Sequence, residues 1–198
     1  MLNRSVFAVV ALILCFALLG CSTAKGPAEA AIKAAEDALA AAKPEAAKFV
    51  PDQLKAVEDA LAAAKDNFTK GEYEQALTGG QELATKVKDL AAAAAAKKDE
   101  LTRSWQDLSG GLPGMVEVIT KRVEILSKSK KLPAGLNKEQ FESAKATLAT
   151  VTQTWTEASD AFNGGNLADA VSKANSVKEK AVEIMNILGM KAPEAAQQ

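Results

Sequence analysis

The chain of 198 residues carries 24 Lys and Arg against 25 Asp and Glu, for a net charge of −1, and 41 of its residues are alanine. Alanine is the strongest helix former, and 6 Phe, 2 Trp and 1 Tyr leave little material for sheets, which argues against an all-β fold. Histidine is absent, which removes Ser-His-Asp and Cys-His catalysis and His-ligated metals, and the balanced charge gives no reason to propose nucleic acid as a partner.

Residues 1–20 read as a targeting segment. Arg4 gives a cationic start, and the apolar run from Val6 to Leu19 is short for a membrane span but suits a signal-peptide core. The run ends in Leu18-Leu19-Gly20-Cys21, which resembles the bacterial lipobox, whose Cys receives diacylglycerol before cleavage ahead of it. The resemblance implies lipidation at Cys21, removal of Cys15 with the signal, and a membrane contact made through an N-terminal lipid. Several acyl chains hold a bilayer at about 0.8 kcal/mol per buried methylene, so the expected state is tethered and not spanning. In Gram-negative lipoproteins an Asp after the Cys signals inner-membrane retention; Ser22 stands there, so the resemblance implies the outer membrane, facing the periplasm.

Residues 21–26 form a tether of small residues. Pro27 suits a first helical turn, and Ala28, Ala31, Ile32, Ala35, Leu39 and Ala42 supply the apolar face of helix one, which Pro44 should kink or end. Pro51 opens helix two, with Leu54, Val57, Leu61, Ala64 and Phe68 on one face, and Gly71 supplies a turn. Helix three has a heptad stripe of Tyr73, Leu77, Gly80, Ala84, Val87, Ala91, Ala94, Lys98, Leu101, Trp105 and Leu108, in which only Lys98 is out of place. The breaker cluster Ser109-Gly110-Gly111-Leu112-Pro113-Gly114 predicts a linker over 109–114. Helix four then presents Met115, Val118, Ile119, Val123 and Leu126; a Lys-rich loop with Pro133 and Gly135 follows. Helix five opens at Asn137 with Gln140 at capping-box spacing, Gly164-Gly165 forms the next turn, and 167–188 is helix six.

The halves align. Ile32 with Ile119, Leu39 with Leu126 and Leu54 with Phe141 share an offset of 87 residues, whereas Phe68 with Phe162, Gly71 with Gly165 and Ala76 with Ala170 share 94. The two offsets differ by one heptad, which lengthens helix five by about two turns and keeps its buried stripe in register. The expected fold is therefore all-α, an elongated antiparallel helical bundle of two duplicated three-helix units over 27–108 and 115–190, with 191–198 as a flexible tail.

Phe49-Val50-Pro51, then Ala56, Leu61, Ala64 and Gly71-Glu72-Tyr73-Glu74-Gln75-Ala76, resemble a family of alanine-rich bacterial lipoproteins carrying a domain of unknown function, over roughly residues 28–100. Its hallmarks are an aromatic-Ala-Pro step and Gly-Asp-Tyr-x-x-Ala; Val50 and Glu72 depart from them, and the second copy keeps only Gly165 and Ala170 of the hairpin signature. The family carries no assigned activity to transfer. The hairpin also resembles that of tetratricopeptide repeats, but the chain lacks their 34-residue period.

Candidate chemistry is thin. Acidic residues recur mixed with Lys at helical spacing, as in Glu36-Asp37, Lys86-Lys88-Asp89 and Lys178-Glu179-Lys180, which reads as a solvated charged face; no metal site, cofactor or catalytic residue is predicted. The aromatic residues Phe68, Tyr73, Trp105, Trp155 and Phe162 read as core. One charged cluster stands out: Lys121, Arg122, Lys128, Lys130, Lys131 and Lys138 against Glu124 surround the end of helix four. Cations there complement the helix dipole, and Lys128, Lys130 and Lys131 are also candidates for contact with an anionic partner. The expected function is a non-enzymatic scaffold or adaptor in the cell envelope, touching an envelope protein or peptidoglycan non-covalently; the alternative is a carrier holding an apolar ligand between helices. The last Lys is Lys191, so no terminal covalent link to the wall is expected.

Overall fold

The computed structural model describes residues 24–191. Five helices and no strands occur among them: α1 (Lys25–Phe49), α2 (Pro51–Thr69), α3 (Tyr73–Lys128), α4 (Lys138–Asn163) and α5 (Leu167–Ile187). The fold is an all-α helical bundle, and the chain divides into two compact units between Ala95 and Ala96. The first unit takes α1, α2 and residues 73–95 of α3; the second takes residues 96–128 of α3, α4 and α5.

The 109–114 linker is not observed. Helices three and four of the sequence reading are the single 56-residue α3, with Pro113 inside it. An internal proline costs a helix about 3 kcal/mol, since it has no N–H to give to the carbonyl one turn back. Burial outweighs that cost: Leu101, Trp105, Leu112, Met115, Ile119, Val123 and Leu126 form one buried stripe that crosses the glycines without a break, and each such side chain contributes about 1.5–3 kcal/mol. Pro44 likewise lies inside α1 and does not end it, because the turns beyond it are secured by buried Ala46.

In the first unit, Ile32 and Leu39 of α1, Leu54 and Val57 of α2, and Leu83, Val87 and Leu90 of α3 build one core. Small residues let the helices approach closely. A Cβ placed on Gly80 would lie 2.9 Å from the Ala31 Cβ and 3.1 Å from the Ile32 nitrogen, and one on Gly79 would lie 3.3 Å from the Ala64 Cβ. The predicted stripe on α3 needs a correction of phase here. Ala84, Ala91 and Lys98 are exposed, and Leu83 and Leu90 are buried instead, because the helix turns its larger apolar side chains inward.

Both units also pack aromatic rings: Phe68 meets Tyr73 edge-on at 5.2 Å in the first, and the second has a stack of three. Trp105 stacks on Trp155 with centroids 5.5 Å apart and on Phe162 at 4.6 Å. The N-terminus of α4 has the capping box read from the sequence: Asn137 Oδ1 accepts from the Gln140 amide at 2.8 Å, and Gln140 Oε1 accepts from the Asn137 amide at 3.0 Å.

The two hairpins share a bond pattern. Gly71 and Gly165 turn the two hairpins at φ of +82° and +78°, a region that a side chain disfavours. In one, Gly71 and Glu72 donate to the carbonyls of Phe68 and Asn67; in the other, Gly165 and Asn166 donate to those of Phe162 and Ala161. Ala76, Gly80, Leu83, Val87, Leu90 and Ala94 are buried on α3, and Ala170, Ala174, Val177, Ala181, Ile184 and Leu188, each 94 positions later, are buried at the C-terminal end. α2 has 19 residues and α4 has 26, a difference of one heptad.

Candidate functional site

Cys21, the predicted lipidation site, lies outside the described residues. Within them no polar or charged residue is fully buried, and no group of three or more Cys, Asp or Glu is arranged to hold a metal ion. No helix among them is long and apolar enough to cross a membrane.

Charged side chains pair along and between helices. Lys33 reaches Asp37 and Lys55 reaches Asp59 one turn away, whereas Lys65 with Glu36 and Lys43 with Glu58 tie α2 to α1, the latter at 2.7 Å. Lys173 of α5 donates to Glu157 of α4 at 3.1 Å, and this bond, with one from Gln153, holds the Glu157 carboxyl below its usual range. Exposed pairs of this kind are worth about 0–1 kcal/mol and assemble no reactive group. Open grooves of about 360 and 380 Å³ run beside α1 and α2, and their walls include Glu36 and Lys65.

The basic cluster at the end of α3 divides on inspection. Lys121 donates to Glu117 one turn back at 2.5 Å, an ion pair that the i, i+4 spacing of the sequence already offers. Arg122 is half-buried, and its Nε has no hydrogen-bond partner. Lys128 closes α3, the Ser129 amide donates to the Leu126 carbonyl at 3.1 Å, and the chain then passes Lys130, Lys131, Pro133 and Gly135 before buried Leu136 anchors it ahead of the Asn137 cap. Lys128, Lys130 and Lys131 are thus brought together, all exposed and without an ion pair among the described residues, at the negative end of the α3 dipole.

Val118, read from the sequence as core, is instead 51% exposed, and Ile125, two turns further, is 60% exposed. Both fall off the Leu112, Met115, Ile119 stripe, which could have distinguished them once the helix was known to be continuous.

The chain matches no protein-family model, no curated protein and no solved structure.

Proposed function

We propose that the chain is a membrane-anchored periplasmic lipoprotein whose helical body acts as a non-enzymatic scaffold or adaptor in the cell envelope. The observation that carries this reading is Leu18-Leu19-Gly20-Cys21 at the end of an apolar core that follows a cationic start. The likeness to alanine-rich bacterial lipoproteins around Phe49-Val50-Pro51 and the Gly71 hairpin supports it, and Ser22 favours the outer membrane. The exposed Lys128, Lys130 and Lys131 offer a surface for an anionic envelope protein or for peptidoglycan. The carrier alternative requires an enclosed apolar cavity, whereas the grooves beside α1 and α2 are open and set Lys and Glu beside Leu39, Leu61, Ile32 and Phe68.

Radiolabelled palmitate tests the anchor. Wild-type chain should incorporate label and float with membranes, and Cys21→Ser should do neither; a labelled, floating Cys21→Ser form would defeat the reading. The adaptor role is tested by changing Lys128, Lys130 and Lys131 together to Gln. Cross-linked envelope components, or isolated peptidoglycan, should be captured less by the triple variant and with less sensitivity to salt. Unchanged, salt-independent capture would remove the anionic contact.

A further inference from the structure

The exposed Val118 and Ile125 are part of a longer face. Seven residues separate them, so they lie above one another on α3, and the same face continues toward the N-terminus through Gly114, Gly111 and Asp107. Asp107 to Ile125 spans about 27 Å at 1.5 Å per residue. A Cβ built on Gly111 or Gly114 meets nothing within 4 Å, so the helix surface is bare backbone at that end, whereas Val118 and Ile125 stand proud at the other. Two charges bracket the face. Asp107 at one end and Lys128 at the other have no ion-pair partner among the described residues, although Lys121 and Glu117 between them pair with each other.

We propose that this face of α3 pairs with the same face of a second copy of the chain, antiparallel, about a two-fold axis passing at Val118. Residues equidistant from Val118 then meet. Ile125 of each copy fills the bare surface over Gly111 of the other, Val118 packs on Val118, and Lys128 comes beside Asp107, each contact occurring twice by symmetry apart from the one on the axis. A parallel pair would set Ile125 on Ile125, leave a gap where Gly111 meets Gly111, and oppose Asp107 with Asp107 and Lys128 with Lys128; like charges set against each other select against it. An anionic lipid surface is a poorer occupant, since Asp107 would face it and Lys121 already pairs with Glu117. The pairing does not depend on lipidation at Cys21, and it takes Lys128 out of the basic cluster, leaving Lys130 and Lys131 for an anionic partner.

Sedimentation velocity on the full chain in detergent micelles, over a concentration series, provides the test. Wild type should show a reversible monomer–dimer equilibrium, and Val118→Asp should weaken it by about tenfold or more while leaving the helical circular dichroism intact, since the position is exposed. Asp107→Lys and Lys128→Asp should each weaken it by several-fold, and the double reversal should return it to within about threefold of wild type, because each Lys again meets an Asp. A chain that is monomeric at every concentration overturns the proposal, as does a double reversal no tighter than the singles. A monomeric wild type that binds phosphatidylglycerol vesicles through Val118 would overturn it in favour of a lipid surface.

Discussion

The two three-helix units solve one packing problem with different side chains. At positions 94 residues apart on the last helix of each, the first unit has Gly80, against which the Ala31 backbone closes, where the second has Ala174; Phe68 meets Tyr73 edge-on in the first unit, whereas its counterpart Phe162 stacks on Trp105, and Trp105 on Trp155, in the second. A thin core held by close backbone approach tolerates no added atom; a core filled by large rings tolerates no removed one. Positions 94 residues apart are therefore buried in both units, with side chains of different volume at them.

Removing a ring should have the largest effect. Trp105→Ala should destabilise the second unit by about 3–5 kcal/mol, since it deletes a buried side chain and both of its stacking contacts. The remaining Trp155 emission and the Tyr73 signal report on the second and first units respectively, so denaturant melts followed at the two should separate, with Trp155 melting first. Equal shifts in both would show that the units do not differ in this respect.

Pro113→Ala should act in the opposite direction. The position is exposed and helical, so restoring the missing N–H should stabilise the second unit by up to about 3 kcal/mol and raise its denaturation midpoint. A loss of stability on that change would mean that the proline sets a bend the core needs.

Gly80→Ala sets two terms against each other. Helix propensity favours alanine by about 1 kcal/mol, but the new Cβ would sit 3.1 Å from backbone atoms of Ala31 and Ile32 that cannot rotate away, so a net loss of about 1–2 kcal/mol in the first unit is expected. Gly79→Ala is the control: its Cβ meets Ala64 alone, at 3.3 Å from the Cβ and 3.8 Å from the Cα, so the gain in helix propensity and the tight contact should roughly cancel. If both changes stabilise, the close approach at Gly80 does not hold the first unit together.

The smallest effect concerns charge. The Glu157 carboxyl is held below its ordinary pKa by Lys173, so the stability it adds is present above the unfolded-state pKa and fades as pH falls through the depressed folded value. Lys173→Met should raise the Glu157 pKa toward its ordinary value in an NMR titration and flatten that part of the acid limb.

The features legible in the sequence were those fixed by local chemistry. The Asn137 capping box, Pro51 at the start of α2 and the glycine turns at Gly71 and Gly165 each satisfy a backbone requirement within a few residues, and the all-α class follows from the alanine content. Continuity through 109–114 was not legible, because three glycines and a proline argue locally for a break and only the tertiary burial of Leu112 and Met115 argues against it. The phase of the α3 stripe was ambiguous for a related reason: Ala84 and Ala91 are as apolar by type as Leu83 and Leu90, and only volume decides which pair turns inward. Of the candidate site, the Lys128, Lys130 and Lys131 cluster was legible as charge, whereas the exposure of Val118 depended on knowing that the helix does not stop.

Between Ala94 and Leu101, α3 buries no side chain at all. A helix of six residues in water could not start on its own, since fixing the first turn is unfavourable by about three orders of magnitude in equilibrium constant. Here the start has already been made on both sides, where Leu90, Ala94, Leu101 and Trp105 are buried, so residues 95–100 need only extend turns that already exist. Two alanines, with no rotamer freedom to lose, and a Lys97 to Glu100 bond at 2.8 Å suit that task. The amides of this stretch should therefore exchange with solvent deuterium by brief local opening, well before those of either core, and so mark the place where the two compact units share one continuous helix.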